Sequence, residues 1–150
     1  SFRGTVFRQT MFAEFEYLIH DRVEKGEALT ADVLSQIYYD LNVKYFGPDM
    51  VVDQDIELEW ARIPHFYMNF YVYKYATGFA AAAALSKQIL EEGQPAVERY
   101  LSFLKAGSSD YPIEVLKQAG VDMTSPEPVK QALQVFEESL SQFEALAKQI

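Results

Sequence analysis

The chain of 150 residues contains no cysteine and only two histidines, His20 and His65. The first absence excludes thiol catalysis, thiolate metal centres and a disulfide framework. The second confines imidazole chemistry to two positions. Basic residues are also scarce: 13 Lys and Arg stand against 22 Asp and Glu, a formal net charge of −9, with acidic side chains in every third of the sequence. Such a surface repels phosphate backbones, so no nucleic-acid partner is expected. No apolar run reaches the roughly 18 residues that a membrane span needs, so no membrane partner is expected either. Alternating runs long enough for a credible sheet are missing, and so is any internal repeat. The opening Ser1-Phe2-Arg3-Gly4 has neither an initiator methionine nor a basic-then-apolar leader, which predicts a chain cut from something longer.

What is present is enough for a core. At 49% hydrophobic and 23% charged residues the chain is globular rather than disordered. A domain of this size hides roughly 70% of the surface of its unfolded chain and needs no covalent or metal staple. Phe7, Met11, Phe12, Phe15, Leu18, Ile19 and Val23 recur at spacings of three and four and predict a helix over residues 5–25, closed by Gly26. Thr30 is a good N-cap for a second helix whose stripe is Leu34, Ile37, Tyr38, Leu41 and Tyr45, ended by Gly47-Pro48. Residues 48–68 read as an acidic connection with room for one short helix. Asn69 is the expected N-cap of a long helix, running through five alanines to Leu90 with almost no polar face, which predicts a buried central helix. Three more helices follow: one with Pro95 in its first turn, a short one from Pro112 to Ala119, and a last one begun by Ser125-Pro126 and striped by Val129, Leu133, Phe136, Leu140, Phe143 and Ala147. The expectation is an all-α fold of five to six helices in a single helical domain over 1–150.

Few residues here can carry chemistry. His20 follows Glu16 by four residues and could share a metal with it, yet such helical pairs are common and their ordinary role is a packing or surface contact. Asp53-x-Asp55-x-Glu57 alternates oxygens as a calcium loop does but lacks the glycine and the final glutamate, so a solvated acidic segment is expected. His65 is more informative, because Tyr67, Tyr71, Tyr73 and Tyr75 follow within ten residues. An aromatic core stripe is the plain reading. Against it stands the polar load, since four phenols and an imidazole on a buried helix would all need partners. A continuous helix would also hold His65 and Tyr75 about 15 Å apart. With Pro64 in front, residues 64–68 can instead fold His65 back over the first turns of the helix, so that the two converge.

The string Ile63-Pro64-His65-Phe66-Tyr67-Met68-Asn69-Phe70-Tyr71-Val72-Tyr73-Lys74-Tyr75-Ala76-Thr77-Gly78 closely resembles the C-terminal signature of the oligoendopeptidase F family, in the thimet oligopeptidase group of zinc peptidases. Phe7-Arg8-Gln9-Thr10-Met11-Phe12-Ala13-Glu14-Phe15-Glu16 resembles a second stretch of the same family, in the expected order and separation. The resemblance implies an all-helical peptidase that cleaves short peptides in a deep channel, with zinc held by a helical His-Glu-x-x-His motif and a later glutamate. No His-Glu-x-x-His occurs in this chain; in the family that helix and the third ligand precede the Phe-Arg-Gln-Thr segment. The implied chain is therefore the C-terminal piece of a catalytic domain, inactive alone. It would bind no Zn2+ itself, the ion belonging to the intact protein, and its partners would be short peptides and the remainder of its own catalytic domain. Carried over by position, His65 and Tyr75 match the family's catalytic pair that stabilises the tetrahedral intermediate, with Tyr71 and, more weakly, Tyr67 as substrate-binding residues. The missing leader and cysteines, with the resemblance, imply a cytoplasmic location. The alternative from another class is a non-enzymatic helical module whose aromatic cleft binds a peptide or protein.

Overall fold

The computed structural model describes residues 2–149. Every regular element among them is helical. A π-helical turn, Arg3–Phe7, leads into α1 (Arg8–Glu24), which is followed by α2 (Ala31–Phe46) and two 3-10 helices, Gln54–Arg62 and Pro64–Tyr67. Then come α3 (Tyr73–Glu92), α4 (Gln94–Ala106), α5 (Pro112–Gln118) and α6 (Glu127–Ala147). The chain divides into two compact units, with the boundary after Ala76.

Local chemistry sets most helix ends. Thr30 holds an extended backbone and its hydroxyl accepts the Val33 N–H at 3.3 Å, while Asp32 complements the positive end of α2. Gly47 ends α2 at φ +78°, a conformation that costs a residue without Cβ little. Pro95 and Pro112 occupy first turns, where a missing N–H is harmless. Two expectations need correction. Asn69 does not cap α3: Asn69 and Phe70 both lie in the left-handed region, at φ +48° and +59°, and the helix begins only at Tyr73. Nor is α3 buried all round. Ala80, Ala81, Ala84 and Leu85 are buried, whereas Tyr73, Tyr75 and Leu90 are exposed, so the alanines form one packing face rather than a sheathed core. A smaller shift affects α6, where Pro126 stays outside the helix, Pro128 takes the first turn, and the Ser125 hydroxyl still accepts the Glu127 N–H.

The first unit has its core around Met11, Phe12, Phe15, Tyr38, Leu41, Ile63 and Val72. Phe15 meets Tyr38 edge-on at 5.3 Å, and Phe66 packs against both Phe12 and Phe15. Such pairs add about 0.5–1.5 kcal/mol each beyond the area they bury. Beside this core Glu59 is buried with its partners: Arg8 donates at 2.7 Å, the Tyr38 hydroxyl at 2.6 Å, and Arg62 also donates. The Tyr38 phenol is pushed well above its ordinary pKa by burial and by the neighbouring Glu59 carboxylate, so it remains a donor. The 3-10 helix Gln54–Arg62 is thereby tied to α1 and α2, and Trp60 Nε1 donates to Ser35 on α2. The second unit has a smaller core of Ala81, Ala84, Leu85, Ala119 and Val121, bordered by Tyr100, Phe103, Leu116 and Met123.

Candidate functional site

Pro64 breaks the chain after Ile63, and the 3-10 turn it starts carries His65. Phe66 anchors this turn against Phe12 and Phe15, which leaves His65 on the opposite, half-exposed side. The left-handed pair Asn69-Phe70 then reverses the chain, and Val72, fully buried, pins the first turn of α3. The result is convergence: Nε2 of His65 lies 3.1 Å from the phenol oxygen of Tyr75. A continuous helix would have held these residues about 15 Å apart.

Tyr71 completes the group. Its ring stacks on His65 with centroids 5.9 Å apart and meets Tyr75 edge-on at 5.8 Å. Lys74 sits over the Tyr71 ring at 5.1 Å, a cation–π contact. Tyr71 and Tyr75 are each 39% exposed, so the cluster faces open space rather than core. The Tyr75 phenol has its pKa held above the ordinary 10.0 by partial desolvation and by the Tyr71 phenol beside it. It therefore carries its proton throughout the neutral range. Tyr67 is placed differently, 78% exposed on the preceding turn. Of the four residues singled out by sequence, the structure brings His65, Tyr71 and Tyr75 together and leaves Tyr67 at the rim.

The other candidates resolve as structural groups. His20 donates from Nδ1 to the Glu16 carbonyl at 2.7 Å, and its ring packs on Phe70. The Glu16 carboxylate accepts the Phe70 N–H at 2.7 Å. Sequence reasoning missed this role; the available signal was a glutamate on the same helical stripe as Phe12 and Phe15. In the acidic segment Asp53 accepts its own chain's Asp55 N–H, as a helix cap does. An apolar cavity of about 570 Å³ in the second unit, lined by Ala81, Leu85, Ile89, Tyr100 and Phe103 among others, presents little polar chemistry to a substrate. No helix among the described residues is long and apolar enough to cross a membrane.

Residues 2–135 match the pattern of peptidase family M3. The chain belongs to that family. It is 66% identical to oligopeptidase PepF of Bacillus subtilis over 149 residues, covering 99% of this chain and 22% of that protein. To group B oligopeptidase PepB of Streptococcus agalactiae it is 51% identical, covering 97% of this chain and 24% of that protein. The crystal structure of oligoendopeptidase-F from Enterococcus faecium matches with a TM-score of 0.95 at 53% identity, over 99% of this chain and 29% of that one. The chain thus spans about a quarter of the length of the M3 relatives it matches. Peptidases of family M3 are zinc-dependent in general. Among the described residues there is no group of three His, Cys, Asp or Glu side chains that could hold such an ion, and the sequence has no His-Glu-x-x-His.

Proposed function

We propose that the intact protein is a zinc endopeptidase of short peptides, and that this chain supplies hydrogen-bond donors for the tetrahedral intermediate rather than ligands for the metal. The observation that carries the reading is the 3.1 Å approach of His65 Nε2 to the Tyr75 phenol in an open aromatic cluster. Membership of family M3 and the oligopeptidase names of the relatives support it. Bound zinc supplies Lewis-acid polarisation to such a reaction.

The chain's own part is electrostatic. When a nucleophile adds to a peptide carbonyl, negative charge moves onto the carbonyl oxygen, and donors already aimed at that position stabilise it. His65 can donate its Nε2–H to the Tyr75 phenol oxygen, so the phenol proton, shared with Tyr71 before substrate binds, can turn to the developing oxyanion. Tyr71, stacked on His65, fixes the imidazole plane and offers its hydroxyl to the peptide backbone; Tyr67, exposed on the preceding turn, is the outer substrate contact. A non-enzymatic binding module would use the same aromatic surface, but the family is one of peptidases.

Tyr75→Phe in the intact protein removes a hydroxyl and no metal ligand. Turnover is expected to fall at least about tenfold, and by about 10²–10³ if the phenol acts as a full oxyanion donor, with zinc content unchanged. Wild-type turnover in that variant rules the assignment out.

A further inference from the structure

Between His65 and Tyr75 the chain passes through two successive non-glycine residues with positive φ, Asn69 at +48° and Phe70 at +59°. Side-chain-bearing residues resist this conformation, most of all a bulky aromatic, and keep it only where the surroundings over-determine it. The restraint comes from α1. Glu16 is 1% exposed, and its Oε1 accepts the Phe70 N–H at 2.7 Å across 54 residues of sequence. One turn further along the same helix, His20 packs its ring on the Phe70 ring with centroids 4.4 Å apart. Its Nδ1–H is used up on the Glu16 carbonyl. Glu16 and His20 therefore grip the backbone and the ring of the residue at which the chain reverses. A buried glutamate is costly unless it is hydrogen-bonded. Here its carboxylate takes hold of one backbone N–H in the reversal that sets the His65 to Tyr75 distance.

We infer that Glu16 is a positioning residue for the His65–Tyr75 pair, acting through the Phe70 N–H, a role that rests on the reading of Tyr75 given above. The need is for an acceptor at full reach, not for a charge. Glu16→Gln keeps the reach and the acceptor oxygen, while Glu16→Asp keeps the charge and falls one methylene short.

In the intact protein Glu16→Asp is expected to lower kcat by about tenfold with KM changed less than about threefold, and Glu16→Gln to keep most of the turnover. Glu16→Asp combined with Tyr75→Phe should be no worse than Tyr75→Phe alone, because the tether works only through the donors. Zinc content should not change. A second readout needs no turnover: with 13Cε1-labelled histidine, the His65 resonance, assigned by its loss in His65→Gln, should move in Glu16→Asp toward its position in Tyr75→Phe and stay near wild type in Glu16→Gln. If Glu16→Asp does not fold, Phe70→Pro breaks the same hydrogen bond from the exposed loop by removing the N–H and forbidding positive φ, and it should reproduce the loss and the resonance shift. Equal impairment of the Asp and Gln variants, additive losses in the double variant, or an unmoved His65 resonance overturns the tether. Normal turnover in Tyr75→Phe alone overturns the oxyanion reading instead, and the resonance shift still decides whether Glu16 holds the turn.

Discussion

Glu59 shows how single residues in this chain are balanced. Its side chain is 6% exposed, and burial alone would raise its pKa. The hydrogen bonds from Arg8 and Tyr38 outweigh that, with the charges of Arg8 and Arg62 adding to them, and the carboxyl is held below the ordinary 4.5. A carboxylate whose folded pKa is depressed contributes stability above its unfolded pKa and loses it as pH falls through the folded one. Glu59 should therefore stabilise the fold at pH 7 and stop doing so on acidification below about 4.5. Glu59→Gln leaves Arg8 without its carboxylate and is expected to cost about 1–3 kcal/mol at neutral pH, discounted because both arginines are partly exposed. Urea unfolding at pH 7 and again near pH 3 checks this. The gap between wild type and variant should shrink at the acid pH, and an equal gap at both would show that the ionised form is not what matters.

At the scale of elements, the informative comparison is between α2 and α3. Every signal for α2 is local: a threonine that caps, an aspartate in the first turn, a stripe at helical spacing and a glycine that stops it. Each was legible because each acts within a few residues. Asn69 carries a degenerate signal, since asparagine favours both an N-cap and the left-handed region. The left-handed turn is held at Phe70 by Glu16, 54 residues away, and no window of local sequence contains that contact. The same division holds for the site. Pro64 marked the break that lets His65 fold back toward Tyr75, whereas the group that holds the fold-back lay out of reach of periodicity. For α5 the stop is local and tight. Gly120 has φ +93°, and a Cβ there would stand 3.0 Å from Gln88 Oε1, whose amide donates to the Gly120 carbonyl at 2.8 Å. Gly120→Ala should combine backbone strain with a displaced Gln88 and destabilise by about 1–3 kcal/mol. A lowered urea midpoint with an unchanged m-value is the expected result, and an unchanged midpoint would mean that the loop relaxes freely.

For the whole molecule the telling feature is apolar surface that the chain does not cover. The apolar stripe on α6 read from sequence is real as a stripe, but Val129, Leu133, Leu140 and Phe143 are 40–68% exposed. A module complete in itself has little reason to leave such a face to water, because fully burying side chains of this kind is worth about 1.5–3 kcal/mol each. The relatives are about four times as long, and in the intact protein proposed above this face is expected to lie against the rest of the polypeptide. Expressed alone, the 150 residues should then be helical by circular dichroism, without peptidase activity, and prone to associate as concentration rises. Leu140→Lys with Phe143→Glu should reduce that association in sedimentation velocity runs while leaving helix content unchanged. The same pair placed in the intact protein should lower its thermal stability, the result expected of a face that is covered there. Opposite signs in the two settings are what a docking face within one polypeptide demands. A double variant that is neutral in the intact protein would show that α6 faces water there too, and would separate the fate of this helix from that of the His65–Tyr75 cluster.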